Sequence, residues 1–222
     1  MSVYFITSLP KLYINIKPKI SKKEFINQAR NNLPQSILKD LDLLINLDTE
    51  QVKLGENSIL GTTVTDSILR GRLINIFKET NSLFLKKWVK YLVNIQEIVT
   101  VLLCKKEDLS QQKAKDYFTN SFDSTSKFVL KNYHLPDFGL SKRFTWFNKL
   151  NHVMQGNDII KTQKTIDLIK LQEIDFLKPT DVFHIDTLLA YYLELSILER
   201  AFSFDRVNGR KQVQNILNSF KI

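Results

Sequence analysis

The fold is decided by Thr180–Phe220, TDVFHIDTLLAYYLELSILERAFSFDRVNGRKQVQNILNSF. Val182, Phe183, Ile185, Leu188, Leu189, Tyr191, Tyr192, Leu193, Leu195, Ile197 and Leu198 leave little polar face. A helix that is apolar nearly all round must be enclosed by other helices. This segment therefore reads as the central post of a helical body. A second helix is expected to follow it, opening at Asp205 with Gly209 in its first turns.

The 222 residues suffice for one large domain with a sizeable core. We read residues 1–222 as a single helical domain, with sub-bundles 1–106 and 107–222 as the other division. The apolar fraction, 43%, is ordinary for a globular chain. No run approaches the apolar length of a transmembrane helix, because Glu194 and Ser196 interrupt Leu188–Leu198. The start, MSVYFITSLPKLY, lacks the basic head and long apolar centre of a signal peptide. The single cysteine, Cys104, excludes an internal disulfide and a cysteine-built zinc site. Together these features lead us to expect a cytoplasmic protein.

The net charge is +9. That suits an acidic partner: nucleic acid, an anionic membrane or an acidic protein. Only seven arginines contribute, however: Arg30, Arg70, Arg72, Arg143, Arg200, Arg206 and Arg210. Base and phosphate recognition leans on arginine forks. The abundance of Ile, Asn and Lys fits an AT-rich codon bias better than a dedicated basic surface. Lys11, Lys17 and Lys19 on the N-terminal arm form one candidate partner interface. Arg206, Arg210 and Lys211 form another, because cations in the opening turns of a helix oppose its dipole and have no local reason to be there.

Outward from the post, the chain reads as a succession of helices. Val3–Leu9 is β-branched and aromatic, which predicts a short strand or extended arm. Lys11–Lys19 is an extended link. Ser21-Lys22-Lys23-Glu24 is a capping box, and a helix to about Arg30 pairs with Gln35–Leu47 as a hairpin. Asp48–Thr63, polar and holding Gly55 and Gly61, predicts a long loop. Thr65 or Asp66 caps the next helix. Leu83–Cys104 is the second long helix, with Trp88, Leu92, Ile95, Val99 and Leu102 at alternating spacings of four and three. Ser110–Lys131, Arg143–Met154 and Ile159–Leu171 complete the set. The fold class is mainly α, a multi-helix bundle with a short extended N-terminal segment.

No catalytic constellation emerges. His134, His152 and His184 fall on separate elements without metal-ligand spacing, and His184 reads as a satisfied, partly buried side chain. Asp181 is expected in the first turn of the post, where the dipole favours it. Asp186, Glu194 and Glu199 could form a buried acidic line, but outward placement or pairing with Arg200 or Arg206 is the preferred reading. GENSILG, residues 55–61, lacks the Lys-Ser/Thr of a phosphate loop. No Gly-x-Ser-x-Gly elbow or Ser/His/Asp order is present. Asn94 and Gln96 either face solvent or set helix register. Lys105 and Lys106 suit the end of their helix. No cofactor, metal or catalytic residue is expected, and the chain is read as no enzyme.

YFITSLPKL at the start, with Leu9 and Pro10, then SKKEF, resembles an uncharacterised bacterial family encoded beside V-type ATPase genes. That family has a Trp-x-x-Tyr helix, matched by Trp88 and Tyr91, followed by Leu-Arg-Asn, where this chain has Ile95, Gln96 and Glu97. It ends in a Leu-x-Tyr-x-x-x-Leu-x-Ile-x-Glu-Arg helix, matched by Leu189, Tyr191, Leu195, Ile197, Glu199 and Arg200. Asp205, Gly209 and Val213–Phe220 follow its closing Asp-x-x-x-Gly and amphipathic helix. The family is similar to the central-stalk socket of the V-type ATPase, the all-helical, funnel-shaped component that receives the rotor shaft. The resemblance implies a non-catalytic, socket-like accessory or central-stalk component of a V-type ATPase or ATP synthase that couples rotor shaft to membrane ring in ion transport. Its partners would be the central shaft and the rotor ring, placing it at the inner face of the cell membrane without a span of its own. The chain is shorter than a full three-part socket. The alternative is a basic helical nucleic-acid-binding protein.

Overall fold

Local chemistry starts the helices where the capping residues predict. Ser21 Oγ accepts from the Glu24 amide at 3.2 Å, and a Glu24 carboxylate oxygen accepts from the Ser21 amide at 2.8 Å, closing the capping box. Those bonds also hold the Glu24 carboxyl below the usual carboxylate range. Ser82, Ser110 and Asp158 each cap a helix through a side-chain oxygen that accepts an amide three residues on.

The computed structural model describes residues 2–14, 16–57, 63–118, 125–156 and 158–203. Ten α-helices lie among them. In chain order they are α1 Ser2–Ser8, α2 Lys22–Asn32, α3 Gln35–Asn57, α4 Thr63–Glu79, α5 Leu83–Lys106, α6 Gln111–Lys115, α7 Thr125–Lys131, α8 Phe147–Gln155, α9 Ile159–Leu177 and α10 Ile185–Ser203. A short 3-10 turn, Asp116–Phe118, follows α6. No strand occurs among the described residues. The fold is all-helical, and one hydrophobic cluster runs from Phe5 to Leu198.

Two helices are enclosed on most sides. α5 packs against α4, α7, α8, α9 and α10. Of its predicted seam, Trp88, Leu92, Ile95 and Leu102 are buried and Val99 partly so, and Leu85, Val89, Val93, Ile98 and Val101 are buried as well. α10, the expected post, packs against α2, α3, α5 and α9. Leu188, Leu189, Ala190, Tyr192, Leu195, Ile197 and Leu198 are buried there. Each fully buried large apolar side chain contributes about 1.5–3 kcal/mol, so these two helices carry much of the core.

Several boundaries differ from the sequence reading. Residues 2–8 are helical, not extended. Thr7 Oγ1 donates to the Tyr4 carbonyl and Ser8 Oγ to the Phe5 carbonyl. Phe5 and Ile6 are buried, with the Phe5 ring 5.8 Å from that of Phe25. Tertiary packing overrides the β-preference of the side chains. Lys11–Lys19 remains an extended link, with one isolated bridge between Tyr13 and Ile16. α3 continues through Asp48 to Asn57, where a loop was expected. Thr49 Oγ1 bonds back to the Ile45 carbonyl at 2.8 Å, and Glu50, Gln51, Lys53 and Leu54 are good helix formers.

Ser110–Lys131 is not one helix: α6 gives way to the 3-10 turn, and α7 begins only at Thr125. α8 starts at Phe147, after turns, rather than at Arg143. α9 extends to Leu177 and stops before Lys178-Pro179, as the residue preceding proline disfavours helix.

α10 starts at Ile185, so Asp181 lies outside it. The Asp181 carboxylate instead accepts the Phe183 amide at 2.9 Å. Val182 and Phe183 sit in this turn and are exposed rather than buried. Arg206, Arg210, Lys211 and Gly209 lie outside the described residues.

Candidate functional site

The family-like pair near the end of α10 is placed by the helix itself. Consecutive residues point about 100° apart, so Glu199 and Arg200 address different neighbours. Glu199 Oε1 accepts the Lys22 backbone amide at 2.9 Å, one of the free N–H groups that open α2. Arg200 donates through Nη2 to Asp167 Oδ1 on α9 at 2.5 Å. The Asp167 side chain is 5% exposed, and Gln163 Nε2 donates to the same oxygen at 2.9 Å. One turn of α10 thus ties α2 and α9 together.

A turn earlier, α10 presents Tyr192 and Ser196 to Asp48 on α3. Ser196 Oγ lies 3.0 Å from both Asp48 carboxylate oxygens, and Tyr192 Oη donates at 3.3 Å. Lys22 Nζ reaches the same carboxylate at 2.6 Å. Asp48 therefore joins α2, α3 and α10. Burial pushes the Tyr192 phenol far above its ordinary range, and the Asp48 carboxylate reinforces the shift. Tyr192 serves here as a hydrogen-bond donor to Asp48.

Lys170 of α9 lies between these two clusters. Desolvation pushes its ammonium down to about 8, helped by the Arg200 guanidinium and opposed by the Asp167 carboxylate. With Asp48, Trp88, Tyr192, Ser196 and Arg200 it lines a cavity of about 50 Å³. That volume holds a few waters and is far below a metabolite pocket. A larger open groove of about 350 Å³ runs between α3 and α4, past Asn46, Thr49, Arg72, Asn75 and Glu79.

Two further acidic side chains of α10 are drawn inward to different degrees. Asp186 is buried and accepts from Ser82 Oγ at 2.7 Å, joining the starts of α10 and α5. Glu194 is half-buried, and desolvation raises its carboxyl above the usual range despite Lys178 Nζ at 3.9 Å. The expected outward placement is corrected for Asp186, which is buried, and so is pairing of Glu199 with Arg200; pairing with Arg206 lies outside the described residues. Arg200 turns to α9, Glu199 to α2 and Asp186 to α5.

His184 is exposed, not partly buried, and its Nδ1 accepts the Asp186 amide at 3.1 Å at the start of α10. His134 and His152 are exposed as well. Among the described residues no three His, Cys, Asp or Glu side chains gather as a metal site. Cys104 is buried and its thiol is pushed up by desolvation.

The remaining motif residues are structural. The Pro10 carbonyl accepts from Tyr191 Oη at 2.8 Å, and Leu9 packs on the core. Trp88 and Tyr91 stack at 6.1 Å between ring centroids, and Trp146 meets Tyr91 edge-on at 6.3 Å. Gln96 is half-buried and Glu97 fully buried, so the departure from Arg-Asn falls inside the fold. Asn94 is half-buried too. Lys106 Nζ donates to the Met154 carbonyl at 3.1 Å, and Lys105 lies over the Tyr133 ring. Lys11, Lys17 and Lys19 are exposed on the arm. They do not meet the clusters of α10. Sequence reading missed Asp48, Asp167 and Lys170, which face Arg200 and Ser196 only after folding and carry no local mark of it.

Among the described residues no helix is long and apolar enough to cross a membrane. No curated protein and no solved structure matches the chain. The family described as "Protein of unknown function (DUF2764)" matches residues 62–222. That span holds Trp88, Tyr91, Glu199, Arg200 and Gly209, while Leu9 and Pro10 precede it. The match covers well over half of the sequence, and the chain belongs to the DUF2764 family.

Proposed function

We propose that this protein is a non-catalytic, socket-like accessory or central-stalk component of a V-type ATPase or ATP synthase. Its role is to couple the rotor shaft to the membrane ring. The observation that carries the reading is the use made of Glu199 and Arg200. These residues carry the likeness to the ATPase-associated family, and both are spent on clamping α2 and α9 to α10. Polar bonds of this kind, part-buried and running between helices, would help an adaptor to carry torque without shearing. The Asp48 and Asp186 ties add to the same rigidity. In this reading the basic charge faces acidic loops of the shaft or ring, and the protein sits peripherally at the inner face of the cell membrane through the complex.

The test is recovery from gently solubilised membranes. Tagged protein is expected to bring down shaft or ring proteins in constant ratio. Its isolation alone would overturn the proposal. Salt-sensitive binding to DNA or RNA instead would favour the nucleic-acid alternative.

A further inference from the structure

Residues 11–14 and 16–19, the described part of KLYINIKPK, form a finger tied to the helical body at its root. The Tyr191 hydroxyl bonds the Pro10 carbonyl on one side, and Ile20 is buried on the other. Leu12 packs against the core. Beyond that the chain turns on itself, with the Ile16 amide donating to the Tyr13 carbonyl at 3.2 Å. The turn presents apolar side chains to solvent: Tyr13, Ile14 and Ile16 are 55%, 53% and 55% exposed. Lys11, Lys17 and Lys19 flank them and are exposed too. The first acidic residue of the chain is Glu24, which is engaged by Ser21. The segment thus carries exposed apolar residues and three exposed cations, with no acidic residue in its own sequence.

We infer that this finger docks the protein onto an anionic lipid surface, with Tyr13, Ile14 and Ile16 entering the headgroup–acyl boundary and the three lysines contacting lipid phosphates. Charge complementarity selects the partner: three cations stand on one short segment that holds no acidic residue. Tyr13, Ile14 and Ile16, all exposed, fall within four residues of one another. A bilayer interface accepts apolar groups of any arrangement, tyrosine favours its headgroup level, and lysine stems reach outward from it. The inference does not rest on the ATPase reading; a protein carried to the membrane only by its partners would not need the finger.

The test is vesicle co-sedimentation of the full chain, using phosphatidylcholine with and without phosphatidylglycerol. Binding is expected only with phosphatidylglycerol. Each Lys→Ser change at Lys11, Lys17 or Lys19 should weaken it about fivefold. Tyr13→Ser, Ile14→Ser and Ile16→Ser combined should weaken it at least roughly tenfold. Because these residues are exposed, thermal melting should not change. As a second readout, Ile14→Cys accepts an environment-sensitive thiol label while buried Cys104 does not, and its emission should shift to the blue on adding anionic vesicles. Absence of binding to anionic vesicles overturns the inference, and so does binding that the variants leave intact. Capture of an acidic ATPase component through the finger, without vesicle binding, would also overturn it and leave the adaptor reading standing.

Discussion

Removing the Asp48 carboxylate tests the idea that polar ties lock α2, α3 and α10 into one body. Asp48→Ala deprives Lys22, Tyr192 and Ser196 of their shared acceptor. The Lys22 contact is partly solvated, with side chains 29% and 23% exposed, so it contributes about 0.5 kcal/mol. The hydroxyl bonds to a charged acceptor are worth about 1.5 kcal/mol each at the low end, given the water that reaches Asp48. Tyr192 is 2% exposed, so only water in the small adjoining cavity can replace the acceptor of its hydroxyl. The sum is roughly 3.5 kcal/mol, or a melting temperature lower by roughly 7–14 °C. Asp48→Asn keeps the shape and one acceptor oxygen, and should lose about half as much. Urea unfolding of wild type, Asp48→Ala, Ser196→Ala and the double variant gives the coupling directly, expected at about 1 kcal/mol. Unfolding of Asp48→Ala within about 0.5 kcal/mol of wild type, or a cycle without coupling, would refute the locking role of Asp48.

Other outcomes follow from neighbouring geometry. Asp167→Ala takes the carboxylate from beside Arg200 and Lys170 and should cost about 3 kcal/mol by denaturant unfolding; adding Lys170→Met should recover part of that loss. Lys170 also sets a pH dependence. Its folded value, about 8, lies below its ordinary 10.5, so the unfolded chain binds the extra proton between them. The penalty for the buried ammonium is therefore complete below about pH 8 and fades as pH rises toward 10.5. Lys170→Met should be more stable than wild type at neutral pH, with the advantage shrinking over that window; an advantage constant with pH would refute the assignment. Gly139 has a φ of +68°, and an added Cβ would lie 3.2 Å from the Phe128 ring. Gly139→Ala should cost about 1–2 kcal/mol in the same unfolding assay, and an unchanged midpoint would show that the turn relaxes freely.

The long helices were legible because apolar residues alone specify them. Trp88, Leu92, Ile95 and Leu102 needed no partner information to mark α5, and Leu188–Leu198 marked α10 in the same way. Ser21 and Glu24 announced their cap locally. The site was less legible, because its polar residues act across the chain. Asp48 sits in a polar run that reads as loop, and only Lys22 and Ser196, 26 and 148 residues away, explain its place. Glu199 was visible as a motif residue, yet its target, a backbone amide 177 residues earlier, leaves no mark in a side-chain pattern. Residues 2–8 show the opposite failure: β-branched residues suggested a strand, and burial of Phe5 against Phe25 made a helix.

The proposed coupling role is tested most directly by comparing ATP hydrolysis with ATP-driven ion uptake in membrane vesicles from cells lacking the protein. Hydrolysis should persist while ion uptake is lost, and purified wild-type protein should restore uptake. Ion uptake that stays at the wild-type level without the protein would contradict the coupling role.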